Sequence, residues 1–351
     1  MEIRRIGLIG HMAIGQKKYD GQTVSTRMWQ NELNNMELPR KPVFVDTYNY
    51  KHRPFSLIAS WIKCMFSCSH IVFMLSGNGM RVFLPLLFYS NKIFKRRLYH
   101  RVIGGNLCEY VEKNPKWTKY LNGFEVNWVQ SNKMVERLKE LGVTNGEYLE
   151  NFRSIKPINE EEITAWKSKP YKFCTFCRVS KAKGIGLAIQ AISEVNRKNG
   201  SGTVELHVYG PVEDAYKEEF EKLVDENKEC VYYEGSIDST KAVDILKNYF
   251  FHLFPTTWHG EGFPGTLIDC YNAGLPTIAS DWAYNAEYIR NGEMGYIYSW
   301  EKPELLEQLI GSSIGDSSEK HLKMRMANLN EAKKYTAEVV MNKILNRMTV
   351  E

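Results

Sequence analysis

The chain has 351 residues, with 43% apolar and 25% charged residues and a net charge of +5, which is globular composition with room for two domains. No run of eighteen uncharged apolar residues occurs, so no membrane-spanning helix is expected, and the start Met1-Glu2-Ile3-Arg4-Arg5 lacks a signal-peptide core. Seven irregularly spaced cysteines point to reduced thiols in a cytoplasmic protein.

The first half alternates apolar strand patterns with helix patterns. Ile6–Ile9 is a strand, followed by a polar loop from Gly10 to Gln22 and a helix from about Thr23 to Leu33. Val43–Val45 and Ile71–Leu75 read as buried strands, and Met80–Tyr89 as an apolar helix interrupted by Pro85. Leu98–Ile103 is a strand ending at Gly104-Gly105, and Val126–Gln130 another, with a helix after it to about Leu141. A polar, proline-punctuated stretch from Arg153 to Pro170 then separates two repetitions of one pattern. In the second half Phe173–Phe176 is a strand, and Ile185–Asn196 a helix with apolar residues at Ile185, Ala188, Ile189 and Ile192. Val204–Tyr209 is a strand turning at Gly210-Pro211, Val231–Tyr233 leads to Gly235, and a helix lies near Ala242–Asn248. Tyr249–Phe254 is a strand, Thr266–Ala273 a short helix closed by Gly274 and Pro276, Thr277–Ala279 a strand and about Ala337–Met348 the last helix. Strands alternating with helices specify a parallel, doubly wound α/β sheet. Twice over, they specify two Rossmann-like domains facing across a cleft, at 1–152, joined by the C-terminal helix at about 334–351, and at 153–333. Ligands of such sheets bind beyond the carboxyl ends of the strands.

Charge divides along the same line. Residues 1–150 carry 22 Lys+Arg against 12 Asp+Glu, and the remainder 24 against 29, which suggests different partners for the two halves.

The chemistry concentrates in the second half. His259-Gly-Glu261-Gly-Phe-Pro-Gly265 places a carboxylate in a glycine-rich turn before a helix start. Amides at such a start bind anions, and a carboxylate beside them suits a ligand bearing both phosphate and hydroxyls, as a nucleotide-sugar does. Arg178-Val-Ser-Lys-Ala-Lys183-Gly184 presents cations between a strand and a helix; arginine forks onto phosphate and lysine adds a point charge. Alternatively the segment is a solvated basic loop. Cys174-Thr-Phe-Cys177 has redox-like spacing but lies in a strand pattern without a second ligand pair, and reads as structural. Ser76-Gly77-Asn78-Gly79 starts like a dinucleotide fingerprint, but Val82 stands where its third glycine belongs. No Asp-x-Asp occurs, so no metal site for a diphosphate is expected. No nucleic-acid motif accompanies the basic half.

Arg178, Lys183-Gly184, Gly235, Pro255, Glu261-Gly-Phe, Asp269, Gly274-Leu-Pro276 and Ala279-Ser280-Asp281 follow in an order that resembles the retaining family 4 glycosyltransferases of the GT-B fold. The resemblance covers nearly the whole chain and is strongest from Phe173 to Gly295. It implies transfer of a sugar, with retention, from a nucleoside-diphosphate sugar to a saccharide, lipid-linked acceptor in bacterial polysaccharide or glycolipid assembly. It implies Arg178 and Lys183 on the donor diphosphate and Glu261 on the sugar hydroxyls. Gly262, Phe263, Pro264 and Gly265 would form the turn holding sugar and phosphate. Asp269 stands where the family has a glutamate for the ribose hydroxyls; it is one methylene shorter, and a first-turn acid favoured by the helix dipole is the alternative. Ile237 matches the position whose backbone meets the base. Gly21 and Gln22, in Asp20-Gly-Gln-Thr23, match the glycine loop that approaches the diphosphate, the alternative being a plain helix start. His100 lies too early in its strand to match the family's amino-terminal histidine and reads as structural; Gly104 and Gly105 are left as acceptor-side backbone. No cofactor is implied. A nucleotide-sugar epimerase or a phosphorylase on the same fold, or a non-catalytic nucleotide-sugar-binding protein, are the alternatives, although no lysine stands out for pyridoxal. Lys92–Arg101 mixes five Lys/Arg with Ile93, Phe94, Leu98 and Tyr99, downstream of the apolar Phe55–Phe66. That run suits an anionic membrane surface at the inner face of the plasma membrane, or else is a core strand beside a solvated charge run.

Overall fold

A computed structural model describes residues 3–16, 20–166 and 168–349, the side chains at 78 and 239 excepted. Residues 17–19 of the Gly10–Gln22 loop lie outside the described residues. The chain divides into two compact units: the described residues of Met1–Ser154, Gly260–Phe263 and Ala337–Glu351, and those of Ile155–His259 and Pro264–Thr336.

Unit 1 runs β1 (Ile6–Gly10), α1 (Gly21–Asn35), β2 (Val43–Asp46), α2 (Pro54–Ser67), β3 (His70–Met74), α3 (Gly77–Phe94), β4 (Arg97–Arg101), α4 (Leu107–Lys113), α5 (Lys116–Leu121), β5 (Val126–Val129), α6 (Asn132–Glu140) and β6 (Gly146–Tyr148). Unit 2 runs β7 (Tyr171–Phe176), α7 (Ile185–Asn199), β8 (Val204–Tyr209), α8 (Lys217–Glu226), β9 (Val231–Gly235), α9 (Ala242–Leu246), β10 (Phe251–Phe254), α10 (Gly265–Asn272), β11 (Thr277–Ser280), α11 (Asn285–Tyr288), β12 (Gly295–Tyr298), α12 (Glu304–Ser313) and α13 (Ser318–Ala332). The last helix, α14 (Ala337–Thr349), belongs to unit 1.

Each unit holds one six-stranded sheet, parallel throughout, with helices in the crossovers. The orders are β2-β1-β3-β4-β5-β6 and β12-β11-β10-β7-β8-β9. This is the doubly wound GT-B architecture that the strand–helix alternation specifies. In such a sheet a crevice opens where successive connections leave in opposite directions. In unit 1 that point lies between β1 and β3, and in unit 2 between β7 and β10.

Burial on both faces accounts for the apolar strands. β1, β3, β5 and β10 are buried along their whole length. In unit 1 Ile6, Leu8, Val72, Tyr99 and Trp128 pack with Trp29 and with Val340, Met341 and Ile344 of α14. Arg347 of α14 ion-pairs with Glu147 at 2.9 Å and Lys343 with Glu150. In unit 2 Phe173, Leu206, Val208, Phe251, Leu253 and Ile278 pack against Ile185, Ile189 and Ile192 of α7.

Three differences from the sequence reading have physical causes. Pro85 does not interrupt its helix: α3 is continuous over 18 residues. Burial of Phe83, Leu84 and Leu87 offsets the one backbone bond that a proline removes. The run Lys92–Arg101 is not one surface, because Leu98, Tyr99, His100 and Arg101 are buried in β4, leaving Lys92–Arg96 as its outer part. β6, β12 and the helices α2, α4, α5, α8, α11, α12 and α13 were not read as elements; β6 is only three half-buried residues.

Candidate functional site

The switch point of the unit 2 sheet collects the cationic loop. β7 delivers Arg178 at its carboxyl end. The chain then makes a 3₁₀ turn, Lys181–Lys183, and enters α7 through Gly184, whose φ is +71°. A Cβ at Gly184 would run into the carbonyl of Pro255, so this close approach, in a left-handed conformation, requires glycine. The Thr257 N–H donates to the Ala182 carbonyl at 2.8 Å. The loops after β7 and β10 are thus joined to each other.

Within that junction the cations differ. Lys181 is paired with Glu219 at 3.2 Å. Lys183 is half-buried, with its Nζ 5.4 Å from the centre of the Phe254 ring, a cation–π placement that fixes the stem. Arg178 is exposed and makes no ion pair among the described residues.

The loop after β10 is braced from β11, the next strand. Ser280 Oγ donates to the Thr256 carbonyl at 2.7 Å, and Trp282 Nε1 to the Trp258 carbonyl at 2.8 Å. Asp281 accepts the Trp300 N–H at 2.9 Å. The Ala279-Ser280-Asp281 motif therefore supports a loop. Pro264 is the N-cap of α10, and its carbonyl accepts the Leu267 N–H at 3.1 Å, so the amides of Gly265 and Thr266 at the helix start have no intrahelical acceptor. Asp269 is the fifth residue of α10 and only 2% exposed, so the first-turn dipole explanation fails. Ile237 is half-buried against the cluster containing Tyr209, Val243 and Tyr249. His259 packs its ring on Trp258 with centroids 4.6 Å apart.

Gly260–Phe263, with Glu261, is counted in unit 1. There the Gly105 N–H donates to the Gly260 carbonyl at 3.1 Å, the Phe263 N–H to Gln130 Oε1 at 3.1 Å, and Asn151 Nδ2 to the Phe263 carbonyl at 3.3 Å. A Cβ on Gly262 would collide with Gln130 Oε1. Gly104 and Gly105 thus back the segment bearing Glu261, and Glu261 itself is 7% exposed.

At the switch point of the unit 1 sheet a cavity of about 540 Å³ is lined by His11, Asp20, Gln22, Tyr50, Ser76 and Phe83, among others. The loop after β1 is held by Asp46, whose carboxylate accepts the amides of Met12 (2.9 Å), Ala13 (3.2 Å) and Ile14 (3.1 Å). Arg27 donates to the Met12 and Gln16 carbonyls of the same loop, each at 2.7 Å. Asp20 caps α1 through the Thr23 N–H at 3.0 Å and its hydroxyl at 2.7 Å. Burial pushes the Asp20 carboxyl up, but Thr23's donations and the charge of His11 outweigh it and hold the carboxyl below its ordinary value. Gly21 is the first residue of α1, and a Cβ there would meet open space. Gln22 accepts the Ser76 hydroxyl at 2.6 Å; the Ser76-Gly77 turn is a wall of this cavity.

His100 is wholly buried in β4, its Nδ1 2.9 Å from Asn127 Oδ1. Asn127 Nδ2 donates to the Leu121 carbonyl and to Asn145 Oδ1, so its oxygen accepts and His100 Nδ1 carries the proton. Burial pushes His100 down to about 4, which keeps it neutral. His11 was missed by sequence reasoning; its Nδ1 lies 2.9 Å from Thr23 Oγ1. Its signal was position, the first residue past β1 at a switch point. Gln130 and Asp46 also follow or end strands and gave no motif. Cys174 is buried, its thiol pushed up by desolvation. Among the described residues no group of three or more His, Cys, Asp or Glu is gathered as metal ligands.

Residues 170–316 match the family model described as glycosyl transferases group 1. Among curated proteins, the UDP-N-acetylglucosamine–peptide N-acetylglucosaminyltransferase GtfA subunit of Streptococcus gordonii is 25% identical over 147 residues, 42% of this chain. The match spans only 28% of that relative's length. Among solved structures, HepE of Anabaena, in complex with UDP and glucose, superposes with a TM-score of 0.73 at 12% identity, covering 99% of each chain. Sucrose-phosphate synthase of Thermosynechococcus elongatus superposes with a TM-score of 0.74 at 13% identity, covering 98% of this chain and 99% of that one.

Proposed function

We propose that this chain is a retaining glycosyltransferase of family 4 that moves a sugar from a uridine-diphosphate sugar to a saccharide acceptor, lipid-linked, in bacterial cell-surface polysaccharide or glycolipid assembly. The observation that carries the reading is the unit 2 switch point, where Arg178 and Lys183 stand on a loop bonded to the loop after β10. Cations fixed at that place suit a departing diphosphate. The group 1 match over residues 170–316 supports the same reading. The choice of uridine draws on the name of the streptococcal relative and on the UDP bound in HepE.

In this proposal unit 2 takes the nucleotide-sugar and unit 1, with its basic balance and its cavity at His11 and Asp20, takes the acceptor. Arg178 and Lys183 hold the diphosphate, Glu261 the sugar hydroxyls, Gly262–Gly265 the sugar and phosphate, Asp269 the ribose and Ile237 the base. As the bond from the anomeric carbon to phosphate breaks, these cations stabilise the charge left on the β-phosphate. The acceptor hydroxyl forms the new bond on the same face and passes its proton to the departing phosphate oxygen, so no side-chain nucleophile is needed. Side-chain cations replace a metal in this scheme, and the site of action is cytoplasmic, at the membrane.

The test is transfer from UDP-glucose, UDP-galactose and UDP-N-acetylglucosamine to saccharide acceptors, with the product's anomeric configuration read by NMR. The proposal expects an unchanged configuration and turnover abolished in Arg178→Ala and Glu261→Ala. An inverted product contradicts retention, interconversion of donors without acceptor indicates an epimerase, and full turnover in both variants rejects the site.

A further inference from the structure

Two helices of unit 1 expose apolar side chains along one stripe each. On α2 these are Phe55, Ile58, Ile62 and Phe66, and on α3 Val82, Leu86, Tyr89 and Ile93. The spacings, i, i+3, i+7, i+11 and i, i+4, i+7, i+11, each keep to one helix face. Phe55 is 86%, Phe66 68% and Ile93 79% exposed. The core is served by other residues, Trp61, Cys64 and Met65 of α2 and Phe83, Leu84 and Leu87 of α3, all buried.

The two helices pack on each other, with the α2 stripe reaching the end of α3 through Phe66. Phe66 meets Phe94 edge-on with centroids 4.9 Å apart, and Trp61 stacks on Phe83 at 6.0 Å. Arg96 Nε donates to the Met65 carbonyl at 2.8 Å, fastening the end of α2 to the turn after α3. Single exposed apolar residues are ordinary, but a contiguous patch marks an interaction site.

Charge says what covers it. From Asp46 to Glu109 the sequence contains no carboxylate between those two residues and nine Lys/Arg. Lys63, Lys92 and Lys95 are exposed on these helices or at the end of α3, and none of the three makes an ion pair among the described residues. Lys92 Nζ lies 5.4 Å from the ring centres of both Phe88 and Tyr89, which lays its stem on the apolar face with the charge at the edge. A second copy of the chain would bring two like-charged rims together. A nucleic acid would use the cations and leave the apolar stripes in water. An anionic lipid surface takes both, apolar side chains below the headgroups and ammonium groups among the phosphates.

We propose that the α2–α3 face docks on an anionic phospholipid bilayer. It does not rest on the transferase reading, and it narrows the membrane contact from Lys92–Arg101 and Phe55–Phe66 to the exposed stripes of α2 and α3 with Lys63, Lys92 and Lys95. The test is co-sedimentation of the full chain with vesicles of phosphatidylcholine alone or with about a third phosphatidylglycerol, at low and high salt, beside sedimentation velocity without lipid. Binding should need the anionic lipid and weaken with salt. Lys63→Glu/Lys92→Glu/Lys95→Glu should weaken it on the order of a hundredfold or more, and Phe55→Ser/Phe66→Ser/Ile93→Ser at least about tenfold. Both variants change exposed side chains and should keep the wild-type melting curve. No binding by the wild type, equal binding to neutral vesicles, or variants that bind as the wild type does would overturn the proposal. So would a wild-type dimer that the apolar variant dissociates while vesicles are ignored.

Discussion

Gln130 Oε1 accepts the Phe263 N–H at 3.1 Å, joining residues 133 positions apart. That bond holds the turn bearing Glu261, and the amide it satisfies is buried. Gln130→Ala leaves the donor without its acceptor, at a cost of about 1–3 kcal/mol. If Glu261 acts on the sugar, turnover at saturating donor should fall on the order of tenfold or more as the turn shifts. Equal turnover in wild type and Gln130→Ala would show that the turn does not depend on this bond.

Arg178 is exposed and its side chain makes no bond among the described residues, so Arg178→Ala should leave stability within about 0.5 kcal/mol. Turnover should nevertheless fall on the order of a hundredfold to a thousandfold. Arg178→Lys should recover only part, because lysine cannot fork onto two phosphate oxygens. A melting curve beside steady-state kinetics separates the two effects; a loss of stability matching the loss of rate would assign Arg178 to the fold instead.

Asp269 is buried in the second turn of α10, not at its start. If it binds ribose, the wild type should prefer UDP over its deoxyribose analogue by about tenfold or more, a charged hydrogen bond being worth about 1.5–3 kcal/mol. Asp269→Asn should bind the two nucleotides alike. Calorimetric titration measures this, and preserved discrimination in the variant would remove Asp269 from the ribose.

Three buried histidines make stability depend on pH. Burial holds His100 at about 4, His252 at about 3 and His321 at about 4, below the ordinary value near 6.5. Between about pH 6.5 and 4 the unfolded chain binds protons that the folded chain refuses, so stability falls as pH falls through that window. Each histidine contributes a slope approaching about 1.4 kcal/mol per pH unit there. Urea unfolding at pH 7, 6 and 5 should show the loss, and His252→Leu should reduce its slope by one histidine's share. A flat stability profile over that range contradicts the neutral assignment.

The parallel architecture was legible because β1, β3, β5 and β10 are buried on both faces and so appear as unbroken apolar runs. What escaped was structure built from polar residues. α13 buries His321, Arg325 and Asn328, and Arg325 alone donates to the carbonyls of Gly274, Thr164 and Lys247. Such a helix has no apolar stripe to read. α2 inverted the usual signal, since its phenylalanines face solvent. In the site, Arg178, Lys183 and Glu261 were visible as motif residues. Gln130, Asp46 and His11 were not, because each acts through a contact that only folding creates: with the Phe263 amide, with the loop after β1 and with Thr23 of α1.

The central claim is that Arg178 and its loop bind a nucleoside diphosphate, and nucleotide-dependent thermal unfolding tests it most directly. Ligand at a hundredfold its dissociation constant adds about 2.7 kcal/mol of stability. Uridine nucleotides should raise the melting temperature of the wild type more than guanosine or adenosine nucleotides do, and should raise that of Arg178→Ala far less. No shift with any nucleotide, or the same shift in wild type and Arg178→Ala, would contradict the account.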